Sequence, residues 1–314
     1  MQHTRWWNGQ VNWQMKNNLE DTLAHFGEVE INVPMAKMTT LHIGGIAHYV
    51  VNPADMVSLD GLMRLIHSEN IPYKVFGKGS NLLCGDQTFD GIIINLERHF
   101  NNRYFQDRMV TAEAGCSIIA LAYDAMRQGL SGLEFASGIP GTVGGSVYMN
   151  TGAYKSSISE IIDSVLVYRD EKFEWISCDE CDFAYRTSIF QRHPDWIVVA
   201  AKMELQEGDE EDIRTLMTNR RERRMSSQPL DFPSAGSVFR NPMDIPAWKL
   251  IEGIGYRGKR IGDIVVSEKH VNFIVNMGHG TAADYIQLTD EIMQKVKDEY
   301  NIDLHMEVEK FNWQ

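Results

Sequence analysis

Cysteine is scarce in this chain of 314 residues, which contains only Cys84, Cys116, Cys178 and Cys181. Four scattered cysteines are too few for a disulfide framework. Long apolar runs are also missing, since none approaches the roughly 20 residues that a membrane-spanning helix needs. The segment from Met1 to Trp7 lacks the apolar core of a secretory signal. We therefore expect a cytoplasmic protein with no membrane partner.

Positive charge is in short supply, with 30 lysines and arginines against 43 acidic residues and a net charge of −13. Broad nucleic-acid binding needs a positive footprint, so nucleic acid is not an expected partner. An anionic ligand would have to meet a local group of donors. The densest group is 219–224, where four arginines fall within five residues. This group either attracts a phosphate or forms a solvated helix face paired through Glu222.

Hydrophobic periodicity predicts an α+β protein of two or three domains. A helix is predicted over 56–69, between strands at 48–51 and 73–76. Further strands are predicted at 92–94, 109–113, 164–168, 196–205, 264–266 and 272–275. Further helices are predicted over 118–128, 210–224, 248–254 and 282–300, the last with Thr281 as its N-cap. The prolines at 229 and 233 indicate a domain boundary, and the Trp-rich first 25 residues form an extension of unknown role.

Two glycine-rich segments predict close approach of the backbone to a ligand. The segment from Ser137 to Tyr154 has five glycines and little side-chain bulk, and it offers backbone N–H groups to phosphate oxygens or a heterocycle edge. The segment from Gly77 to Leu83 directly follows a predicted strand and is a reasonable cradle for a diphosphate. It is not a Walker sequence, because its lysine precedes the second glycine. Taken alone, each segment could instead be a tight turn between core elements.

Two other motifs are set aside. The pattern from Gly253 to Gly258 matches the Gly-x-Gly-x-x-Gly of dinucleotide folds, but it follows a predicted helix and leads toward a strand, the reverse of the required order. The pair Cys178 and Cys181 has no second pair or nearby histidine, and acidic neighbours raise thiol pKa values. We expect this pair to be structural, and we expect no metal site.

Three further segments carry side chains suited to chemistry. Arg186 follows aromatic residues that could hold it rigidly to grip a carboxylate, although the residues alone favour a partly buried arginine that pairs with a structural acid. Ser237 lies among small residues, and a serine hydroxyl serves as an acid only against a strong base such as an enolate. Glu307 lies in a C-terminal strand pattern, where alternation alone does not decide whether it faces inward.

Seven ordered motifs between about Met35 and Val308 resemble the UDP-N-acetylenolpyruvoylglucosamine reductase family of bacterial cell-wall synthesis. They are the Thr39-Thr40 and Gly44-Gly45 pairs, 77–83, 137–145, the Tyr185-Arg-x-Ser motif, 233–242, 266–273 and the Glu307-Val pair. The resemblance implies an FAD-binding fold of the vanillyl-alcohol-oxidase type in two domains, 1–97 and 98–226, plus a third α+β substrate-binding domain, 227–301. The C-terminal strand, 302–314, is expected to return to the first domain.

The resemblance also implies the cofactors, the substrate and the reaction. NADPH would reduce FAD, and hydride would then pass from flavin N5 to C3 of the enolpyruvyl ether of UDP-N-acetylglucosamine. Arg186 and Glu307 would polarise the substrate carboxylate, and Ser237 would protonate C2. The implied substrate-binding residues are Tyr185, Arg224 and Asn241. The implied FAD-binding residues are Gly77, Lys78, Gly79, Ser80, Asn81, Leu82, Gly138, Ile139, Pro140, Gly141, Thr142, Gly144, Gly145, Asn150, Gly152 and Ala153.

The chain departs from the family pattern in two places. The short distance from Arg186 to the helix at 210 leaves no room for the extra tyrosine loop of the longer family form, so the shorter form is expected. The tail carries a second acid, Glu309, close to Glu307. Two alternatives stay open: another FAD-dependent oxidoreductase of the same fold, and a non-catalytic UDP-sugar-binding relative.

Overall fold

The computed structural model describes residues 19–242 and 245–313. Most of the predicted N-terminal extension, residues 1–18, lies outside the described residues. The described helices are α1 Met56–Glu69, α2 Ile118–Arg127, α3 Val143–Tyr148, α4 Glu210–Ser227, α5 Ala247–Gly253 and α6 Ala282–Tyr300.

The strands follow in chain order. They are β1 Gly27–Pro34, β2 Ile46–Pro53, β3 Tyr73–Phe76, β4 Leu82–Cys84, β5 Phe89–Asn95, β6 Arg103–Gln106, β7 Met109–Glu113, β8 Leu130–Ser131, β9 Gly152–Ala153, β10 Ser156–Ser157, β11 Ile162–Arg169, β12 Lys172–Ser177, β13 Ile197–Glu204, β14 Gln206–Glu207, β15 Ser234–Ser237, β16 Arg260–Ile261, β17 Ile264–Val266, β18 Phe273–Asn276 and β19 Glu309–Phe311.

The first sheet has the order β1-β2-β5-β3, with β5 parallel to both β2 and β3. Helix α1 joins β2 to β3. Its Asp55 N-cap accepts a hydrogen bond from the Ser58 N–H, and Asn70 ends it in the left-handed region at φ 52°. The apolar face of α1 is buried. This βαβ arrangement places the turn after β3 at the carboxyl edge of a parallel pair.

The second sheet is antiparallel, with the order β12-β11-β13-β7-β6. Helix α2, capped by Ser117, buries Leu121, Ala122 and Ala125. The same hydrophobic core includes α1, β5 and the strands of this sheet, so the two sheets are held together by one continuous apolar interior. The turn after β3 and the glycine segment after α2 are therefore held in a fixed relation.

The third sheet, β15-β18-β17-β16, has a core of its own with α5 and α6. Thr281 caps α6 as expected, since its side chain accepts from the Asp284 N–H while the Asp284 carboxylate accepts from the Thr281 N–H. Leu41, Ile43 and Leu83 belong to the same core and tie this sheet to the first part of the chain.

The C-terminal strand returns to the first part of the described chain, because β19 pairs in parallel with β4. Phe311 packs edge-on against Phe76 and Phe89, with ring centroids 5.4 and 4.8 Å away. Residues just before β19 thereby lie next to the turn that joins β3 to β4. No helix in the described part of the chain is long and apolar enough to span a bilayer.

The glycine-rich segment from Ser137 to Tyr154 contains a short helix that was not predicted from the sequence. Helix α3 begins after Thr142, whose hydroxyl accepts from the Gly145 N–H at 3.2 Å. Glycine is a poor helix former, which is why the segment looked like a loop. The cap and the burial of Val143 and Val147 outweigh this preference.

Candidate active site

A cavity of about 780 Å³ lies where the three sheets meet. Its wall includes the turn between β3 and β4, the start of α3, the β9 strand, the turn carrying Tyr185 and Arg186, and strand β15. The segment before β19 completes it. Of the predicted site residues, the cavity is lined by Gly77, Lys78, Gly79, Ser80, Asn81, Leu82, Ile139, Pro140, Gly141, Thr142, Gly144, Gly145, Gly152, Ala153, Tyr185, Arg186, Arg224, Ser237, Asn241 and Glu307.

The turn between β3 and β4 presents bare backbone to this cavity. Gly79 has φ +59°, and a Cβ atom there would lie 2.2 Å from the Met38 carbonyl oxygen. A Cβ atom on Gly77 would lie 2.6 Å from the Thr142 hydroxyl, so the two glycine-rich segments touch. The backbone N–H groups of Gly79, Ser80 and Asn81 donate to no other described residue. These unpaired donors form a cradle that suits an anionic diphosphate.

Arg186 lies on a tight turn with a strained backbone. Ala184 and Thr187 exchange backbone hydrogen bonds of 3.1 Å, and Arg186 between them has φ +58°. A left-handed residue other than glycine costs about 1–3 kcal/mol and persists only where its surroundings hold it. The Asn150 amide donates to the Ala184 carbonyl at 2.8 Å and supplies part of that hold.

Arg186 and Glu307 form an ion pair at the cavity wall. Arg186 Nε donates to Glu307 Oε1 at 2.7 Å, and the two side chains are 22% and 16% exposed. A second guanidinium nitrogen donates to the Gly152 carbonyl at 2.7 Å. Burial raises the pKa of Glu307 above its usual value, and Arg186 opposes that rise only in part. The carboxyl of Glu307 therefore holds a proton more readily than an exposed glutamate does.

Glu309 has different partners. Its carboxylate accepts from Lys74 Nζ at 2.5 Å, and its charge adds to burial in raising the pKa of Tyr148. Of the two tail acids, Glu307 is the one that meets Arg186.

Ser237 ends β15, at an irregularity in its pairing with β18. Its hydroxyl forms no hydrogen bond within the described residues. Asn272 fixes the segment that follows β15. Its side-chain amide donates to the Phe239 carbonyl at 2.9 Å and accepts from the Phe239 N–H at 3.0 Å. Because no described residue bonds to it, the Ser237 hydroxyl is available to a ligand in the cavity.

Arg224 reaches the cavity from the last turns of α4. Its Nε is buried without a partner, and no carboxylate among the described residues forms an ion pair with it. Burial lowers the pKa of its guanidinium. A largely buried cation with an unpaired donor is costly unless a ligand completes it. The Gln228 Oε1 atom, one turn further on, is also buried without a partner and lines the same cavity.

Two predicted FAD-binding residues do not line the cavity. Gly138 packs beneath Arg224, where an added Cβ would lie 3.0 Å from Arg224 Cδ. Asn150 is buried, and both ends of its amide are used on the protein backbone, at Ala184 and Ser159. Both residues support the wall from behind.

Three further residues that were predicted to bind ligands line the cavity with different surroundings. Asn241 accepts from the Ala247 N–H at the start of α5, so only its amide nitrogen is left for a ligand. Tyr185 is 56% exposed at the cavity mouth. Lys78 pairs with Glu97. Lys74, Tyr148 and Gln228 also line the cavity and were not predicted from the sequence; a lysine within the partly buried strand β3 was the one available signal.

The motifs that were set aside carry no site. Cys178 and Cys181 are free thiols, and burial, more than their acidic neighbours, raises the pKa of both, that of Cys181 to about 12. The Gly253 pattern follows α5 and leads to β16, the reverse of a dinucleotide motif. No group of three or more potential metal ligands occurs in the part of the chain that the structure describes.

Comparison with known proteins matches both halves of this arrangement. Residues 47–171 match a family model described as an FAD binding domain, and 228–311 match the C-terminal domain of UDP-N-acetylenolpyruvoylglucosamine reductase. The reductase of Anoxybacillus flavithermus is 42% identical over 287 residues, 91% of this chain and 95% of that protein. The Bacillus subtilis reductase is 39% identical over 284 residues, 90% and 94% of the two chains.

The chain belongs to the UDP-N-acetylenolpyruvoylglucosamine reductase family. The crystal structure of the reductase from Thermus caldophilus superposes with a TM-score of 0.78 at 33% identity and covers 91% of this chain and all of that one. The prediction of an α+β FAD-binding fold with a further α+β domain is confirmed, as is the FAD cofactor. This reductase is an FAD-dependent oxidoreductase that makes UDP-N-acetylmuramate for peptidoglycan synthesis.

Gly79→Ala tests the backbone cradle. The left-handed φ and the approach of the Met38 carbonyl should displace the turn and weaken FAD binding at least about tenfold. Gly255→Ala is the matched control, since Gly255 has φ +73° but open space around it. FAD affinity measured by fluorescence titration should fall for Gly79→Ala alone, and equal affinities in the two variants would contradict the cradle.

The raised pKa of Glu307 predicts a pH dependence of stability. An acid whose folded pKa lies above its unfolded value of 4.5 favours the folded state fully below that pH, and the contribution is lost as pH rises through the folded pKa. Glu307→Gln removes this titration. The free energy of unfolding of the wild type minus that of Glu307→Gln, from urea titrations, should therefore fall as pH rises above 4.5. A difference that rises with pH would mean that Arg186 outweighs burial.

Proposed function

We propose that this reductase uses NADPH to reduce FAD and then reduces the enolpyruvyl ether of UDP-N-acetylglucosamine, with Arg186, Ser237 and Glu307 acting on the substrate. The observation that carries the proposal is that these three side chains, from three distant segments, line one cavity with both glycine-rich segments.

The glycine-rich segments are proposed to hold the cofactor. The unpaired N–H groups of Gly79 and Ser80 suit the diphosphate, and the bare backbone at Gly141, Gly144 and Gly145 allows a planar ring to approach. When bound and reduced by NADPH, FAD supplies a hydride from N5 to C3 of the enolpyruvyl group.

Arg186 and Glu307 are proposed to act on the substrate carboxylate. Hydride addition at C3 leaves an electron pair at C2 that is delocalised into this carboxylate. A fixed guanidinium where negative charge grows stabilises the transition state, an effect of a few kcal/mol for comparable groups. Burial raises the pKa of Glu307, so it binds a proton more readily than an exposed glutamate and can share that proton with the same oxygens.

Ser237 is proposed to deliver the proton to C2. A serine hydroxyl is a weak acid, but an enolate carbon is a strong enough base to accept its proton. The hydroxyl has no hydrogen-bond partner within the described residues, so no protein group competes for it. One hydride at C3 and one proton at C2 complete the reduction of the double bond.

The substrate's diphosphate is proposed to lie against Arg224. Its unpaired, largely buried guanidinium is the cation of the cavity without an acidic partner among the described residues, and it offers the local attraction that the net charge of −13 withholds. The free amide nitrogen of Asn241 and the exposed ring of Tyr185 are proposed to contact the sugar portion.

The wild-type protein and Ser237→Ala together test this function. The purified wild type should be yellow, lose its flavin absorbance on anaerobic NADPH addition, and regain it when the enolpyruvyl substrate is added. Ser237→Ala should be reduced by NADPH at the normal rate but reoxidised by the substrate about 100-fold more slowly or worse. Stopped-flow absorbance separates the two half-reactions.

Ser68→Ala, on helix α1 and outside the cavity lining, is the control and should behave like the wild type. Equal slowing of both half-reactions by Ser237→Ala would contradict the proton-donor role. Rapid oxygen consumption without the sugar substrate would favour another oxidoreductase, and substrate binding without turnover would favour a binding protein.

A further inference from the structure

Two side-chain amides contact the sulfur of Met149, a residue of the cavity wall. Asn81 Nδ2 lies 3.5 Å and Gln191 Nε2 lies 3.6 Å from the Met149 sulfur. Each amide also donates to a backbone carbonyl of the ion pair described above. Asn81 Nδ2 donates to the Glu307 carbonyl at 3.0 Å, and Gln191 Nε2 donates to the Arg186 carbonyl at 3.1 Å.

Asn81 holds the C-terminal segment at two points. Its side chain binds the carbonyl of Glu307, and its own carbonyl accepts from the Glu309 N–H at 2.9 Å. The backbone N–H of Glu307 itself donates to the Val238 carbonyl at 2.7 Å. The backbone of Glu307 is thus fixed on one side by the turn of residues 77–81 and on the other by the segment that follows Ser237.

Gln191 holds the strained turn of Arg186. Besides the Arg186 carbonyl, its amide reaches the Tyr148 carbonyl at 3.1 Å, at the end of α3. Ser188 donates to the same Tyr148 carbonyl at 2.7 Å. These bonds fasten the turn to α3 and help to maintain the left-handed φ of Arg186.

We propose that Asn81 and Gln191 are positioning residues, which fix the two backbones so that Arg186 Nε and Glu307 Oε1 meet in the cavity. The proposal rests on the proposed function of that pair. It also changes the role predicted for Asn81, because both hydrogens of its amide are directed at Glu307 and Met149 rather than at a cofactor. The turn of residues 77–81 then has two roles. Its N–H groups face the proposed cofactor site, and the Asn81 side chain aligns Glu307.

Asn81→Ala and Gln191→Met test the proposal in the FAD-loaded enzyme. Each should slow reoxidation of reduced flavin by the substrate about tenfold, the effect of losing one or two buried hydrogen bonds at the reacting pair. FAD affinity and reduction by NADPH should stay within about twofold of the wild type, because both substitutions keep the backbone N–H groups of the cradle. Asn101→Ala is the control, because Asn101 also donates its amide to backbone carbonyls, at 3.1 and 2.9 Å, but away from the cavity.

A second measurement separates positioning from a general structural role. In a Glu307→Gln background, Asn81→Ala should change the reoxidation rate by less than about twofold, since aligning the residue no longer matters once its acid is gone. A full tenfold loss in that background would overturn the proposal. Weaker FAD binding with equal slowing of both half-reactions would also overturn it and make Asn81 a cofactor ligand.

Hydrogen exchange gives a readout that does not depend on the reaction. Peptides covering 302–313 should exchange faster in Asn81→Ala than in the wild type or Asn101→Ala, because the segment loses one of its holds. Unchanged exchange would overturn the positioning role even if the enzyme turns over. If the wild type fails to turn over the substrate while exchange responds as expected, the proposed function fails and the positioning of Glu307 stands.

Discussion

The ion pair between Arg186 and Glu307 is the constraint on which the site depends. It joins the turn between β12 and β13 to the segment that leads from the third sheet to β19, which pairs with β4. The two residues are 121 positions apart and meet at 2.7 Å. Each residue alone destabilises the folded protein, because Arg186 has a strained backbone and the Glu307 carboxyl is desolvated. Together, and held by neighbouring amides, they form a preorganised charged pair at the cavity wall.

The rest of the cavity is built to leave room and donors for ligands. Backbone rather than side chain faces the cofactor region, and the close approach of Gly77 to Thr142 shows how little bulk is tolerated there. At the other end, Arg224 carries a charge that no acid in the described residues neutralises. A protein with a net charge of −13 thus concentrates unpaired donors where an anionic cofactor and substrate are expected to bind.

Much of the fold followed from sequence patterns. The helices at Met56–Glu69 and Ala282–Tyr300 were predicted to the residue, because Asp55 and Thr281 are strong caps and the apolar spacing is regular. Helix α3 was missed because glycines conceal it, and β12 was missed because most of its residues are solvent-facing. Short-range patterns carry no signal for either case.

The site was harder to derive from residues alone. Arg186, Ser237 and Glu307 had chemical roles available, but only the resemblance to known reductases singled them out, since a pairing over 121 positions leaves no local pattern. The motif around Asn81 predicted a ligand-facing turn, and this turn lines the cavity, whereas the direction of the Asn81 side chain depends on a C-terminal segment far away in sequence. The domain limits, the NADPH preference and the cytoplasmic location stay predictions.

A double-mutant cycle on the ion pair is the most direct test of this account. The free energy of unfolding of the FAD-loaded protein would be measured by urea titration for Arg186→Met, Glu307→Gln and the double variant. Removing one partner leaves the other desolvated and unpaired, so the double variant should be less destabilised than the sum of the single variants by at least about 1 kcal/mol. Additivity within about 0.5 kcal/mol would contradict the claim that this pair holds the site together.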